Sequence, residues 1–74
     1  MSEPLSWDAT YAIALALKRE HRDTNLEEVS LQQIYRWTVA LKDFADDPAL
    51  ANDDILAAIY QEWFEELLDD TQRQ

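Results

Sequence analysis

The stretch between two tryptophans, Trp37 and Trp63, most limits what this chain can fold into. Pro48 lies between them, and proline ends or kinks a helix because it lacks a backbone N–H and clashes with the preceding turn. Asn52 follows, and asparagine is favoured just before a helix, where its side chain accepts a hydrogen bond from a backbone amide. The pattern therefore predicts two packed helices, each carrying one tryptophan, joined at a tight corner.

The corner is rich in carboxylates, namely Asp43, Asp46, Asp47, Asp53 and Asp54. Carboxylate oxygens suit hard cations such as Fe²⁺, Mg²⁺, Mn²⁺ or Ca²⁺. One interpretation is a weak metal site made by Asp43, Asp46 and Asp47. The other is an acidic corner that caps the next helix, with Asp53 and Asp54 at the positive end of its dipole.

The first helix is predicted to begin near Ser6, with Asp8 in its first turn, and to end near Glu20 or His21. Serine is a good helix N-cap, and an acidic residue in the first turn complements the helix dipole. Apolar spacing gives this helix an inner stripe of Thr10, Ile13, Ala14 and Leu17.

The second helix is predicted from Ser30 and Gln33, which have the spacing of a capping box. The third is predicted to run from Asn52 to about Leu68. Their inner stripes are Ile34, Trp37, Thr38 and Leu41 in the second helix, and Leu56, Ile59, Tyr60, Trp63 and Leu67 in the third. No useful stretch alternates with period two, so the expected fold class is all-α, a small three-helix domain without strands.

Length and composition limit the possibilities further. A chain of 74 residues is expected to form one domain, residues 1–74, with an ordered core over about residues 5–68 and frayed ends. The chain has no cysteine, which excludes a thiolate metal site, and no glycine, which excludes a phosphate-binding glycine-rich loop. The lone histidine, His21, lies in a charged turn and is interpreted as a surface residue. We therefore expect a protein that is not an enzyme.

Charge is distributed unevenly along the chain. The formal net charge is −10. Residues 1–42 carry six acidic and five basic residues, a net of −1, whereas residues 43–74 carry ten acidic residues and one basic residue, a net of −9. Such a surface repels phosphate backbones and attracts basic protein surfaces or cations. We expect no nucleic-acid binding, no membrane span and a cytoplasmic location.

The third helix carries acidic residues on one flank, Asp54, Glu62, Glu65 and Asp69. Like charges three or four positions apart destabilise a helix by about 0.2–0.5 kcal/mol per pair. Acidic residues also crowd the negative end of the helix dipole, where cations are preferred. A binding surface tolerates such local violations, so the pattern favours a face for a partner over a solvated face.

The outer side of the first helix has a different character. Tyr11, Leu15, Lys18 and Arg22 recur there at helical spacing. Either this stripe is buried within the domain, or it is a contact surface for the acidic third helix of another copy. We expect a monomer, with self-association through these four residues as the alternative.

The sequence resembles the IscX family, small acidic accessory proteins of bacterial iron–sulfur cluster assembly. The resemblance runs from about Leu5 to Glu66. It rests on Trp37, Asp43-Phe44-Ala45-Asp46-Asp47-Pro48, Asn52-Asp53-Asp54-Ile55-Leu56, Trp63, Ser6-Trp7-Asp8, Ile13, Leu17, Asp23, Val29 and Ala58-Ile59.

This resemblance implies an all-helical variant of the winged helix that binds a cysteine desulfurase through an acidic face. It also implies weak binding of ferrous iron by exposed carboxylates and no tightly bound cofactor. The residues expected to contact a basic patch of the desulfurase are Asp43, Asp46, Asp47, Asp53, Glu62, Glu65 and Glu66.

Three features depart from the family pattern. The usual Tyr-Pro-Asp turn reads His21-Arg22-Asp23, and the usual Arg-Phe after the valine reads Ser30-Leu31. The exposed face of the first helix presents Ala9, Ala12, Leu15 and Arg19 where the family usually has acidic residues. The alternative function is a general acidic interaction adaptor, or a self-associating module, with no iron function.

Overall fold

Three α-helices make up most of the part of the chain that the computed structural model describes, residues 4–72 with the side chains of residues 4–69. Helix α1 spans Thr10–Glu20, α2 spans Leu31–Val39 and α3 spans Asp53–Gln72. Short 3₁₀ helices, Leu26–Glu28 and Pro48–Leu50, lie in the two connections. Helix α1 packs mainly on α3, and α3 also packs on α2. The prediction of a small all-α, three-helix domain is confirmed.

The core lies between these three helices and the segment that precedes α1. Its buried apolar side chains come from all three helices, from the segment before α1 and from the connection between α1 and α2. They are Trp7, Ile13, Ala14, Leu17, Leu26, Ile34, Leu56, Ile59 and Trp63. The predicted inner stripe of α1 is confirmed at Ile13, Ala14 and Leu17, whereas Thr10 is only half-buried. The predicted stripe of α3 is confirmed, with Tyr60 and Leu67 packing against the core while partly buried.

The predicted start of the first helix near Ser6 is wrong. Helix α1 begins at Thr10, and no side chain caps it. The residues before it have other partners: the Ser6 carbonyl accepts the Ala9 amide at 3.0 Å, and the Trp7 amide donates to the Asp46 carboxylate at 3.0 Å. Because these contacts fix the backbone ahead of α1, Asp8 lies outside the helix and is exposed.

The N-terminal segment instead pairs with the corner after α2. Leu5 and Phe44 form an isolated parallel β-bridge, in which the Leu5 amide donates to the Asp43 carbonyl at 2.8 Å and the Ala45 amide donates to the Leu5 carbonyl at 2.9 Å. We call the contacts of Leu5 and Trp7 with residues 43–47 the N-terminal anchor. Within residues 4–72 this bridge does not extend into a strand.

The starts of α2 and α3 follow the predicted capping chemistry. The Ser30 hydroxyl accepts the Gln33 amide at 3.1 Å, and the Asn52 side chain accepts the Ile55 amide at 2.9 Å. Helix α2 ends at Val39, so Leu41 lies beyond the helix although it still packs against the core. Helix α3 continues four residues beyond the predicted end, because no glycine or proline follows Leu68 to interrupt it.

One buried polar group in α2 has no partner. The Thr38 side chain is fully buried, and its hydroxyl makes no hydrogen bond within the described chain. A buried hydroxyl without a partner costs free energy because it has lost its hydrogen bonds to water.

Replacing Thr38 with valine, which has nearly the same shape, is therefore expected to raise the free energy of unfolding by about 1 kcal/mol. Thr38→Ser is the matched control: it keeps the hydroxyl and removes the methyl group, so it is expected to lower stability. Urea unfolding followed by circular dichroism measures both changes. A valine variant less stable than the wild type would mean that the hydroxyl has a partner in solution.

Candidate functional site

The acidic corner after α2 is held by hydrogen bonds from backbone amides. Both oxygens of the Asp46 carboxylate are used: Oδ2 accepts the Trp7 amide at 3.0 Å and Oδ1 accepts the Asp47 amide at 2.7 Å. These two bonds favour the ionised carboxylate and hold the pKa of Asp46 below its ordinary value. Asp46 is therefore part of the N-terminal anchor.

Asp47 also has structural partners. Its Oδ1 accepts the Ala49 amide at 2.9 Å, which caps the 3₁₀ helix Pro48–Leu50. Its carbonyl accepts the Trp7 indole N–H at 2.8 Å. The same residue thus begins the turn toward α3 and fixes the buried Trp7 ring.

The structure does not bring Asp43, Asp46 and Asp47 together as a metal-ligand set. Among the described side chains, no group of three or more histidine, aspartate or glutamate residues is placed to hold a metal ion. The physical reason is that Asp46 and Asp47 direct their oxygens at backbone amides. Weak binding of ferrous iron at this corner stays a prediction from the family resemblance.

The depressed pKa of Asp46 makes the N-terminal anchor sensitive to acid. Stabilisation by a carboxylate with a lowered folded-state pKa is present above the unfolded value of about 3.9 and is lost as pH falls through the folded value. The stability gap between the wild type and Asp46→Asn is therefore expected to be larger at neutral pH than at about pH 2–3. Denaturant unfolding at both pH values tests this, and an equal gap at both would contradict it.

The second acidic feature is the acidic flank of α3, which we define as Asp54, Glu62, Glu65, Glu66 and Asp69. Successive residues of an α-helix are rotated by about 100°, which places these five on one side of α3. Asp54, Glu65 and Asp69 are exposed, whereas Glu62 and Glu66 are half-buried. Asp54 was absent from the predicted contact residues, although its helical spacing to Glu62 and Glu65 places it on this flank.

The predicted contact residue Asp53 lies elsewhere. It is exposed in the first turn of α3, about 100° around the helix from Asp54. The predicted contact residues therefore lie in three places. Asp43, Asp46 and Asp47 are at the corner and Asp53 is at the start of α3. The remaining three, Glu62, Glu65 and Glu66, are on the acidic flank.

Glu66 forms the edge of the acidic flank nearest α1. It accepts the Tyr11 hydroxyl at 3.0 Å and lies 3.6 Å from the Lys18 ammonium. Its hydrogen bond and its negative charge both raise the pKa of Tyr11. Tyr11 and Lys18 thus contact α3 of their own chain, but Tyr11 and Arg22 are exposed, so the stripe is only partly buried within the domain. Self-association through it stays a prediction.

His21 differs from the surface residue expected from the sequence. Its side chain is half-buried, and its ring stacks on Trp37 with centroids 4.0 Å apart and planes 19° apart. Trp37 in turn lies 6.1 Å from the buried Trp63. The pairing joins residues sixteen positions apart, so helical periodicity within one element could not predict it.

Within the described part of the chain, no helix is both long and apolar enough to cross a membrane.

A family model described as iron–sulphur cluster assembly matches residues 5–68. An uncharacterized protein of Pseudomonas aeruginosa is similar to this chain, with 32% identity over 62 residues that cover 84% of this chain and 94% of that protein. The matched range includes the N-terminal anchor, the corner and most of α3. The chain therefore belongs to the iron–sulphur cluster assembly family, which confirms the resemblance drawn from its sequence.

Proposed function

We propose that the protein is a non-enzymatic accessory protein that binds a basic patch of a cysteine desulfurase through the acidic flank of α3. Membership of an iron–sulphur cluster assembly family supports a role in that process, and the family resemblance implies this partner. The observation that carries the proposal is the exposure of Asp54, Glu65 and Asp69 along one side of a regular helix.

The electrostatics of the flank favour a partner of opposite charge. From residue 43 to residue 72 the sequence contains no lysine, arginine or histidine. Glu62 therefore repels Glu65 at a spacing of three positions, which costs about 0.2–0.5 kcal/mol, whereas the charge of Glu66 is partly compensated by Lys18 of α1. A basic surface would relieve this repulsion and accelerate association by long-range attraction.

The corner makes a different contribution. The carboxylates of Asp46 and Asp47 already accept hydrogen bonds from backbone amides. We therefore propose that they contribute to the long-range attraction of a basic partner more than to direct contacts with it. Asp43 is half-buried, and its carbonyl accepts the Leu5 amide. Direct contact is therefore assigned to the acidic flank, where Glu65 is exposed and Glu62 beside it is half-buried.

The test is a titration with a purified bacterial cysteine desulfurase at low and at moderate salt. The variant Glu62→Gln/Glu65→Gln removes two charges from the flank with little change of shape, and is expected to raise Kd about tenfold at low salt. The control Glu20→Gln/Glu27→Gln removes two charges from exposed positions outside α3, and is expected to change Kd less than about twofold. Binding should weaken as salt screens the charges.

If the wild type binds at neither salt concentration, the proposal is overturned. Equal weakening by the two double variants would show that net charge alone matters, as expected for the alternative, a general acidic adaptor. A separate ferrous titration followed by nuclear magnetic resonance addresses iron. Selective shifts over residues 43–54 would support the iron prediction, and their absence would contradict it.

A further inference from the structure

A cavity of about 340 Å³ lies between the end of α1 and the second half of α3. Its walls include residues of opposite kinds, basic side chains around the edge and apolar side chains from α3. They are Lys18, Arg19, His21, Arg22, Thr24, Trp63 and Leu67. Three of the six lysine and arginine residues of the chain, and its only histidine, thus surround one cavity in a protein of net charge −10.

The two arginines are the cations available to a ligand. Lys18 already pairs with Glu66 at 3.6 Å. Arg19 and Arg22 are exposed, and among the described residues no carboxylate forms an ion pair with either. A guanidinium group presents a planar fork of donors that matches the oxygens of a carboxylate or a phosphate.

The apolar side of the cavity is rigid. Trp63 is 1% exposed and belongs to the core, and Leu67 packs against that core. His21, on another wall, is fixed by its stack on Trp37. A volume near 340 Å³ falls within the range of about 300–1,000 Å³ that is usual for small-ligand sites, which are mostly apolar with a few placed polar groups.

We propose that this cavity binds a small organic anion, a carboxylate or a phosphate ester attached to a flat apolar group. Arg19 and Arg22 bind the anionic group, and the apolar group packs chiefly against the half-buried Leu67, because Trp63 is only 1% exposed. Charge complementarity selects an anion, and the apolar wall selects against a bare inorganic ion. The site does not depend on the proposed desulfurase contact, because that contact uses the acidic flank and no residue of the cavity.

The experiment titrates the full chain, labelled with ¹⁵N for nuclear magnetic resonance, with phenyl phosphate or benzoate. It is done at about 0.15 M salt, because the Debye length of about 8 Å then limits the effect of distant acidic residues on binding. Shifts of the Trp63 indole N–H and of the amides of residues 18–24 report binding. At least one probe is expected to saturate, and the stronger one identifies the preferred anionic group. Benzyl alcohol, which is neutral, and inorganic phosphate, which lacks the ring, are each expected to bind at least about tenfold more weakly.

Two variants with equal charge change locate the site. Arg19→Gln/Arg22→Gln is expected to raise Kd about tenfold, whereas Arg36→Gln/Lys42→Gln, which removes exposed cations outside the cavity, is expected to leave it within about twofold. Since all four side chains are exposed, both variants should keep the fold. No saturable shift with either probe would overturn the proposal, as would equal binding of benzyl alcohol or equal loss in the two variants.

Discussion

Replacing Trp63 with alanine is expected to lower the free energy of unfolding by about 3–5 kcal/mol at 25 °C. Trp63 is 1% exposed and lies at the centre of the contact between α3, Trp37 and His21. Truncation of a buried tryptophan to alanine costs about 3–5 kcal/mol, because apolar burial is lost and a cavity remains. A domain of 74 residues has a total stability of roughly 4–11 kcal/mol, so the loss is a large share of the whole.

Thermal and urea unfolding, followed by circular dichroism at 222 nm, measure this loss without depending on tryptophan fluorescence. Leu68→Ala is the matched control on the same helix, because Leu68 is 46% exposed and its truncation should cost less than about 1 kcal/mol. Similar losses for both variants would contradict the position of Trp63 in the core.

Trp7→Ala is expected to have the second-largest effect on the free energy of unfolding. Its loss of amide protection is expected to be greatest at the N-terminal anchor. The Trp7 ring is 2% exposed, packs edge-on against Phe44 at 4.8 Å and donates its indole N–H to the Asp47 carbonyl at 2.8 Å. Its truncation should cost about 3–5 kcal/mol. Since these contacts belong to the N-terminal anchor, the loss should release the amides of Leu5 and Ala45, whose partners lie across the bridge.

Amide hydrogen exchange tests this distribution. Leu5 and Ala45 are expected to lose protection first in Trp7→Ala, while the amides in the middle of α3 lose less. The milder variant Trp7→Phe keeps an aromatic ring and removes the indole N–H, so it should cost about 1–3 kcal/mol, the range for a carbonyl left without its partner. Uniform loss of protection in Trp7→Ala would show that the anchor and the helices open as one unit.

The boundaries that could be predicted from the sequence are those set by local chemistry. Ser30 and Asn52 each accept an amide three residues ahead, so the information needed to place the starts of α2 and α3 lies within one turn. The start of α1 depends instead on an acceptor in Asp46, thirty-nine positions away from Trp7. A contact at that distance overrides the local preference of Ser6 for an N-cap and could not be found from the nearby residues.

The same distinction applies to the candidate site. The acidic flank could be predicted because Glu62, Glu65 and Glu66 share one helix and their spacing fixes their common side. The metal-ligand set of Asp43, Asp46 and Asp47 stays a prediction, and composition could not show that Asp46 and Asp47 direct oxygens at backbone amides. The basic cavity could not be predicted because its cations come from α1 and the turn after it, whereas its apolar wall comes from α3, and only the tertiary fold brings these together.

The packing of α1 mainly on α3 has a consequence for the protein during its synthesis. The first helix leaves the ribosome long before the last, and at about 5–20 residues per second some 50 further residues take roughly 3–10 s to be made. During that interval Ile13 and Leu17, which are fully buried in the finished domain, have no α3 to cover them. The nascent chain therefore leaves Ile13 and Leu17 without their packing partner for seconds, and the native packing of α1 forms only after α3 has been made.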